Sequence, residues 1–222
     1  FESVVERAEW SRLSSRVEHN AERLLSLLDD HDVKATFFVL GWVAERFPSL
    51  VRRIFESGHE IGCHGFSHRR IYQQDRDEFA AETARAKQIL EDCTGARVIG
   101  YRAASFSITR DSLWALDILA EEGFLFDSSI YPVWHDNYGI PGAAIEPSRL
   151  ATPLGADIAE LPLSTYRIAG IPLPVGGGGY FRLYPYPITR AMLQGIVREG
   201  RPINFYCHPW EIDVEQPRFN EV

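Results

Sequence analysis

The sequence predicts an α/β fold with a mostly parallel sheet, either wound into a barrel or left open. Hydrophobic patterns of helix and strand type alternate along most of the chain, as in repeated strand–helix units. The length of 222 residues suits one large domain. A composition of 45% hydrophobic and 24% charged residues is that of a globular protein. We therefore expect a single domain over residues 1–222.

Each predicted element follows from hydrophobic spacing and from residues that begin or end helices. Gly58 is expected to end the second helix, and Thr109 to cap the fourth. Between 128 and 179 the chain is rich in Pro and Gly, and only 157–162 and 165–173 are expected to be extended; long loops of this kind often surround functional sites. The other elements are helices over 16–30, 43–56, 76–92, 109–122 and 189–199, and strands over 33–40, 59–64, 97–101, 124–126 and 203–206.

Charge and cysteine content exclude several classes of function. A net charge of −8, with acids and bases interspersed, argues against nucleic acid as a partner. No apolar run approaches the roughly 18 residues of a membrane span. The chain has three cysteines, Cys63, Cys93 and Cys207. This is a small and odd number, which argues against a disulfide framework. A reducing compartment, and so a cytoplasmic location, is favoured.

Ionisable residues follow the predicted strands at the point where each strand ends. His64 and His68 follow one strand, Arg102 the next, Asp127 the next and His208 the last. The carboxyl ends of parallel strands form the site in α/β folds, because loops from separate units meet there. The set therefore predicts one convergent site.

The spacing of His64 and His68 is compatible with two imidazoles on one divalent metal ion. A catalytic ion usually takes a third protein ligand and keeps a position for water. A structural zinc site using Cys63 and Cys207 is disfavoured, because adjacent strand residues point to opposite faces and the cysteines would face the helix layer. Residues 176–179, GGGG, are expected to form a flexible turn between extended segments, because they lack the Gly-Lys-Ser/Thr of a phosphate-binding loop. No Gly-x-Ser-x-Gly is present.

At these residues the chain resembles the polysaccharide deacetylase family, the NodB-homology enzymes of carbohydrate esterase family 4. HGFSH at 64–68, RAASF at 102–106, DSS at 127–129 and YCH at 206–208 resemble the family's second to fifth motifs, in the family's order. The phrases GYRAASFSIT, LPVGGGGYFR and FYCHPWEID are similar to the branch encoded in bacterial exopolysaccharide (exosortase-associated) loci.

The resemblance implies a distorted (β/α)7 barrel that removes N-acetyl groups from amino sugars of a bacterial polysaccharide or oligosaccharide. His64 and His68 would hold a divalent ion, zinc being favoured over cobalt, nickel or iron. Arg102 would orient a catalytic-base Asp, the backbone N–H near Ser105 would meet the oxyanion, and His208 would protonate the leaving amine with Asp127 nearby. The aromatic residues that would stack on sugar rings are Phe106, Trp134, Tyr180 and Trp210.

One departure from the family pattern concerns its first motif, which supplies the third metal ligand and the catalytic base. Nothing before VKATFFVL matches this motif, so the resemblance predicts that the motif lies upstream of Phe1 and that the barrel lacks its first strand in this chain. The truncated chain is then expected to be inactive or nearly so. Two other functions stay open. One is a metal-free amide or ureide hydrolase of the same superfamily, and the other is a non-catalytic carbohydrate-binding barrel.

Overall fold

A computed structural model of the chain describes residues 6–217. These residues form two compact units. The larger unit is Thr36–Tyr206; the smaller combines Phe1–Ala35 with Cys207–Val222, of which residues 6–35 and 207–217 are described. The expectation of one catalytic domain over residues 1–222 stays a prediction. Over the described residues, no helix is both long and apolar enough to cross a bilayer.

The larger unit is built on a six-stranded sheet with the order β1-β2-β3-β4-β6-β5. All neighbours are parallel except β5, which pairs antiparallel with β6 at the edge. This arrangement confirms the predicted α/β class with a mostly parallel sheet. The strands are β1 (Thr36–Val39), β2 (Glu60–Cys63), β3 (Gly100–Tyr101), β4 (Phe126–Asp127), β5 (Ser148–Ala151) and β6 (Asp157–Glu160). A separate antiparallel hairpin consists of β7 (Thr165–Ile168) and β8 (Ile171–Pro174).

The predicted helices are present, but a proline divides one of them, another begins later than predicted, and residues 178–183 form a helix that was not predicted. The prediction of one helix over 43–56 is wrong, because two helices meet at Phe47 (φ −129°, ψ 56°). Pro48 disfavours helical geometry in the residue before it and lacks an N–H. Thr109 caps a 3-10 turn, Arg110–Ser112, rather than the α-helix that follows. The helices are α1 (Val17–Asp30), α2 (Gly41–Arg46), α3 (Pro48–Glu56), α4 (Arg76–Thr94), α5 (Ala115–Glu121), α6 (Gly178–Leu183) and α7 (Tyr186–Arg198).

Two glycines make room for aromatic rings on one face of the sheet. A Cβ on Gly62 would lie 2.6 Å from the Phe38 ring, and one on Gly100 would lie 2.2 Å from the Phe126 ring. The two rings meet edge to face with centroids 6.4 Å apart. This apolar surface extends along the sheet to the strand ends, where the Arg102 guanidinium lies over the Phe38 ring.

The opposite face of the sheet is buried. Cys63 and Tyr101 are register partners on β2 and β3, and both are buried. Phe79 of α4 packs edge to face on Tyr101, with ring centroids 5.9 Å apart. Burial raises the pKa of the Cys63 thiol to about 12, so Cys63 stays protonated and acts as a small hydrophobic residue. This confirms the predicted orientation of Cys63.

The Gly-rich segment at 176–179 packs against the chain around Tyr206. The strand predicted over 203–206 is not formed, and these residues contribute an isolated parallel bridge between Tyr206 and Gly177. Tyr206 N–H donates to the Gly176 carbonyl, and Gly178 N–H donates to the Tyr206 carbonyl. Gly177 has φ 106° and ψ −159°, a region that only glycine adopts readily. The segment is therefore a packed crossing of two backbones, and not the flexible turn its composition suggests.

Gly177→Ala is expected to destabilise the protein by more than about 3 kcal/mol, since a Cβ would lie 1.9 Å from the Tyr206 carbonyl oxygen. Gly155→Ala is the matched control, because Gly155 also has positive φ but has no atom within 4 Å of its Cβ position. We expect the control to cost about 1 kcal/mol. Urea unfolding of both variants measures the difference. Equal losses of stability would show that the close approach at Gly177 is absent.

The two chain segments of the smaller unit are joined by a partly buried ion pair. Arg16, which precedes α1, donates through Nε to Asp213 Oδ2 at 2.5 Å and through a second nitrogen to Asp213 Oδ1 at 2.9 Å. Asp213 is buried and follows a 3-10 turn, Pro209–Ile212. Cys207 is exposed in this unit, so the prediction that it faces a helix layer is wrong. The chain does not form a strand at Cys207, so strand alternation does not direct its side chain toward a helix layer.

Candidate active site

The ends of four neighbouring strands lie in one row across the sheet. Cys63, Tyr101, Asp127 and Glu160 are successive register partners on β2, β3, β4 and β6. The residue that follows each of these positions lies beside its counterpart on the neighbouring strand, at the carboxyl edge of the sheet. Backbone hydrogen bonds between the strands continue the pairing through these residues. The structure thus brings together three of the predicted positions, those of His64, Arg102 and Asp127. Asp127 itself shares the buried face of Cys63 and Tyr101.

The turn that carries His64 and His68 is held from two helices. At the start of α2, Gly41 N–H donates to the Gly65 carbonyl and Trp42 N–H to the Phe66 carbonyl. From α4, the Glu82 carboxylate accepts hydrogen bonds from Ser67 Oγ at 3.0 Å. His68 has φ 57°, a left-handed conformation that is uncommon outside glycine. These contacts fix the backbone on both sides of His68, which offsets the cost of that conformation.

The two imidazoles fit the nitrogen donors of a metal site. Their ring centroids are 5.2 Å apart, close to the roughly 5 Å expected for two imidazoles on one tetrahedral ion. His64 Nδ1 lies 2.6 Å from the Arg102 carbonyl oxygen. Because a carbonyl only accepts, Nδ1 carries the proton, and Nε2 is the nitrogen that would bind a metal.

These two nitrogens do not complete a ligand set. Within residues 6–217, no three His, Cys, Asp or Glu side chains are arranged to hold one ion. A catalytic zinc usually takes three protein ligands. The imidazole nitrogens of His64 and His68 suit a divalent metal ion, and their role as its ligands stays a prediction.

Arg102 is fixed by polar and aromatic contacts at the strand ends. Its Nε donates to the Ser128 carbonyl at 3.0 Å, and a terminal nitrogen donates to Ser128 Oγ at 2.7 Å. The guanidinium carbon lies 4.3 Å from the Phe38 ring centroid. Burial lowers the pKa of Arg102 to about 10, against the opposing effect of Asp127 and Glu160. Arg102 is therefore positively charged at neutral pH and cannot easily turn away.

Asp127 lies in a hydrogen-bonded network below the strand ends. The carboxylate accepts from Ser129 Oγ at 2.6 Å and from Ser129 N–H at 3.1 Å. The Ser129 hydroxyl in turn accepts from Ala103 N–H at 2.7 Å, next to Arg102. Burial raises the pKa of Asp127, and the hydrogen bonds from Ser129 oppose that rise. The contact of Asp127 with His208 stays a prediction.

Ser105 and Phe106 both have left-handed backbones, with φ 52° and 53°. Two consecutive non-glycine residues in this region are unusual and are typical of functional loops. They come three and four residues after Arg102, where the sequence predicts the backbone N–H that would meet an oxyanion. That role for Ser105 stays a prediction.

The aromatic residues predicted to bind sugar differ in exposure. Phe106 is partly buried, and its ring contacts Tyr131 and Tyr206 edge to face. Tyr180 is also partly buried, and its hydroxyl lies 2.9 Å from that of Tyr138. Trp134 is 78% exposed, which makes it the better placed of the three to contact a polymer.

His208 and Trp210 belong to the smaller unit. The rings are stacked, with centroids 5.7 Å apart and an angle of 22°. Glu211 Oε2 accepts from His208 N–H at 2.8 Å and lies 3.5 Å from His208 Nδ1. Glu211 therefore holds both the backbone and the ring of His208.

Three residues near Arg102 were not predicted as site residues. Ser128 and Asn204 contact Arg102, and Glu160 interacts with Asp127. Asn204 Nδ2 also donates to the Leu161 carbonyl at 2.8 Å. Ser128 lies within the motif at 127–129, and Glu160 is an acidic residue within the predicted extended segment 157–162. Asn204 had no comparable signal in the sequence.

Comparisons with known proteins agree with these features. The sequence model of the polysaccharide deacetylase family matches residues 14–121, and a domain of unknown function, DUF3473, matches residues 128–222. A peptidoglycan-N-acetylglucosamine deacetylase from Bacillus cereus is 41% identical over 73 residues, which is 33% of this chain and 26% of that protein. The peptidoglycan deacetylase-like protein FGM2 from Gibberella zeae is 28% identical over 158 residues, 65% of this chain and 46% of that protein. The chain thus spans about a quarter to a half of the length of these two relatives.

A solved structure supports the fold. A Mycobacterium smegmatis protein assigned as a polysaccharide deacetylase superimposes with a TM-score of 0.69 and 26% identity, covering 94% of this chain and 72% of that chain. This similarity, together with the parallel sheet, confirms the predicted fold class of the distorted barrel. The similarity to the polysaccharide deacetylase family therefore covers residues 14–121 of this chain.

Proposed function

We propose that this protein is a metal-dependent hydrolase that removes N-acetyl groups from the amino sugars of a bacterial polysaccharide. The observation that carries the proposal is the pair His64 and His68, fixed at the end of β2 with Arg102 beside them. The named relatives, a peptidoglycan-N-acetylglucosamine deacetylase and a peptidoglycan deacetylase-like protein, support the same reaction class.

The residues of this chain would have distinct roles. His64 and His68 would hold the divalent ion, which when bound lowers the pKa of water and polarises the acetyl carbonyl. The backbone N–H near Ser105 would stabilise the oxyanion. His208 would donate a proton to the nitrogen as the C–N bond breaks, releasing acetate and a free amine.

Arg102 would supply a fixed positive charge beside the reacting groups. A cation within hydrogen-bond reach keeps a catalytic carboxylate ionised and oriented. The contacts with Ser128 and Phe38 hold the guanidinium before any substrate binds. The proposal assigns no general base and no third metal ligand within residues 6–217.

Two finer assignments belong to the proposal. The substrate would be an exopolysaccharide, because 100–109, 173–182 and 205–213 resemble the exopolysaccharide-locus branch. The ion would be zinc, since two imidazoles suit zinc well, although sites with two His and a carboxylate also take cobalt, nickel or iron.

Trp134→Ala is expected to raise KM for a polymeric substrate about fivefold, which corresponds to roughly 1 kcal/mol of lost contact with a sugar ring. kcat should stay the same, because a subsite residue contributes equally to ground-state and transition-state binding. Leu154→Ala is the matched control, as Leu154 is a similarly exposed hydrophobic residue. Steady-state kinetics on oligosaccharides of increasing length give the answer, and an unchanged KM at every length would remove Trp134 from the site.

Acetate release by the intact protein tests the reaction itself. We expect acetate and free amines in equal amounts from an N-acetylated amino-sugar polymer, and loss of both on adding a chelator. An O-acetylated polymer and a cyclic ureide are the comparison substrates. Chelator-resistant ureide hydrolysis without acetate release would contradict the proposal, as would sugar binding without any reaction.

A further inference from the structure

Two fully buried carboxyl groups lie side by side at the ends of β4 and β6. Asp127 and Glu160 are register partners, and their exposures are 0% and 2%. Their side chains interact with each other. Two ionised carboxylates in such a place would repel each other with no water to screen the charge, so the pair needs a proton or a cation in contact.

Hydrogen-bond directions show which carboxyl carries the proton. Both oxygens of Asp127 accept hydrogen bonds from Ser129, one from the N–H and one from the hydroxyl. Glu160 Oε1 accepts from Ile130 N–H at 3.1 Å, and Glu160 Oε2 is buried without a hydrogen bond outside the carboxyl pair in the described part of the chain. A proton on Oε2 satisfies that oxygen and is shared with Asp127.

The pair is connected to the proposed metal ligand through a short series of contacts. Asp127 holds the Ser129 hydroxyl, which accepts from Ala103 N–H. Ala103 adjoins Arg102, whose carbonyl accepts the hydrogen bond from His64 Nδ1. Ser129 and Ile130 thus donate hydrogen bonds to the two carboxyls, and the adjacent Ser128 carbonyl accepts a hydrogen bond from the Arg102 guanidinium.

We propose that Glu160 is a positioning residue, which shares one proton with Asp127 and thereby fixes Arg102 and His64 at the strand ends. Its effect on the metal site rests on the proposed function, whereas the shared proton does not. Sequence motifs of the resemblance include Asp127 but give no role to Glu160.

The pH dependence of stability follows from the pair. Burial raises the pKa of Glu160 well above its ordinary value, and the neighbouring Asp127 raises it further; Arg102 opposes the rise, and Tyr101 is the other ionisable group that interacts with Asp127. The folded state therefore binds the proton more tightly than the unfolded state does. This contribution to stability is present below the unfolded pKa of about 4.3 and is lost as pH rises toward the folded pKa.

Thermal unfolding of Glu160→Gln, Glu160→Ala and Asp127→Asn tests the proton. In Glu160→Gln the amide oxygen can still accept from Ile130 N–H, and the amide NH2 can donate to Asp127. At pH 5 the Tm of this variant should therefore lie within about 2 °C of wild type, and at pH 8 it should exceed the wild-type Tm by at least about 2 °C. Ala should lower Tm at both pH values. Asn should lower it too, because its amide NH2 faces donors of Ser129. The proton assignment fails if Glu160→Gln lowers the Tm as much as Glu160→Ala at both pH values. It also fails if Asp127→Asn leaves the Tm unchanged while Glu160→Gln lowers it.

Zinc binding tests the positioning role, with zinc alone as the probe. Glu160→Ala should weaken zinc binding by about tenfold, as loss of an outer-shell partner does, and Glu160→Gln should not. Equal zinc affinity in the wild type and Glu160→Ala would refute the positioning role. If the wild type binds no zinc, the proposed function and the positioning role both fail, and unfolding still decides the shared proton.

Discussion

His64→Ala is expected to abolish metal binding and acetate release together. The imidazole would supply one of the two proposed nitrogen donors, and its Nδ1 already donates to the Arg102 carbonyl. Loss of a direct ligand should weaken metal affinity by more than the roughly 10- to 100-fold that follows loss of an outer-shell partner. Elemental analysis of dialysed protein, followed by an acetate assay, measures both effects.

A matched control separates loss of the ligand from loss of a histidine. His31 is an exposed histidine at the end of α1, outside the larger unit. His31→Ala should keep both metal content and activity. Full metal content in His64→Ala would reject His64 as a ligand, and lost activity with retained metal would assign it a different role.

His208→Ala is expected to lower kcat by about 100-fold, because the leaving nitrogen must gain a proton as the C–N bond breaks. KM and metal content should change little, since the side chain would act only in the transition state. The measurement is steady-state kinetics on an N-acetylated oligosaccharide, with metal content determined on the same samples.

Glu211→Gln provides the companion variant. Glu211 holds the His208 backbone and lies close to its ring, so weakening that contact should lower kcat less than removing the ring does. A bell-shaped pH profile should lose its alkaline limb only when His208 itself is replaced. Wild-type kcat in His208→Ala would exclude His208 as the acid.

The order of elements and part of the site could be predicted because strand patterns are local. The runs before His64, Arg102 and Ser128 are short, apolar and separated by helices, and parallel strands must align their carboxyl ends. The structure accordingly places Cys63, Tyr101 and Asp127 in one row. The resemblance to a known family added the chemistry.

Other features depend on tertiary contacts that no local pattern encodes. Glu160 pairs with Asp127 because β6, and not β5, lies next to β4, an order that the Pro- and Gly-rich segment between them conceals. The left-handed backbone of His68 is sustained by contacts with α2 and α4. Gly177 looked like part of a flexible turn, since the Tyr206 backbone that packs against it comes 29 residues later.

A metal titration of the intact protein tests the central claim most directly. Metal-free protein should release no acetate from an N-acetylated amino-sugar polymer, and activity should rise in proportion to bound zinc until one ion is bound per chain. His64→Ala and His68→Ala should stay inactive throughout the same titration. Undiminished acetate release by the metal-free protein would contradict the account.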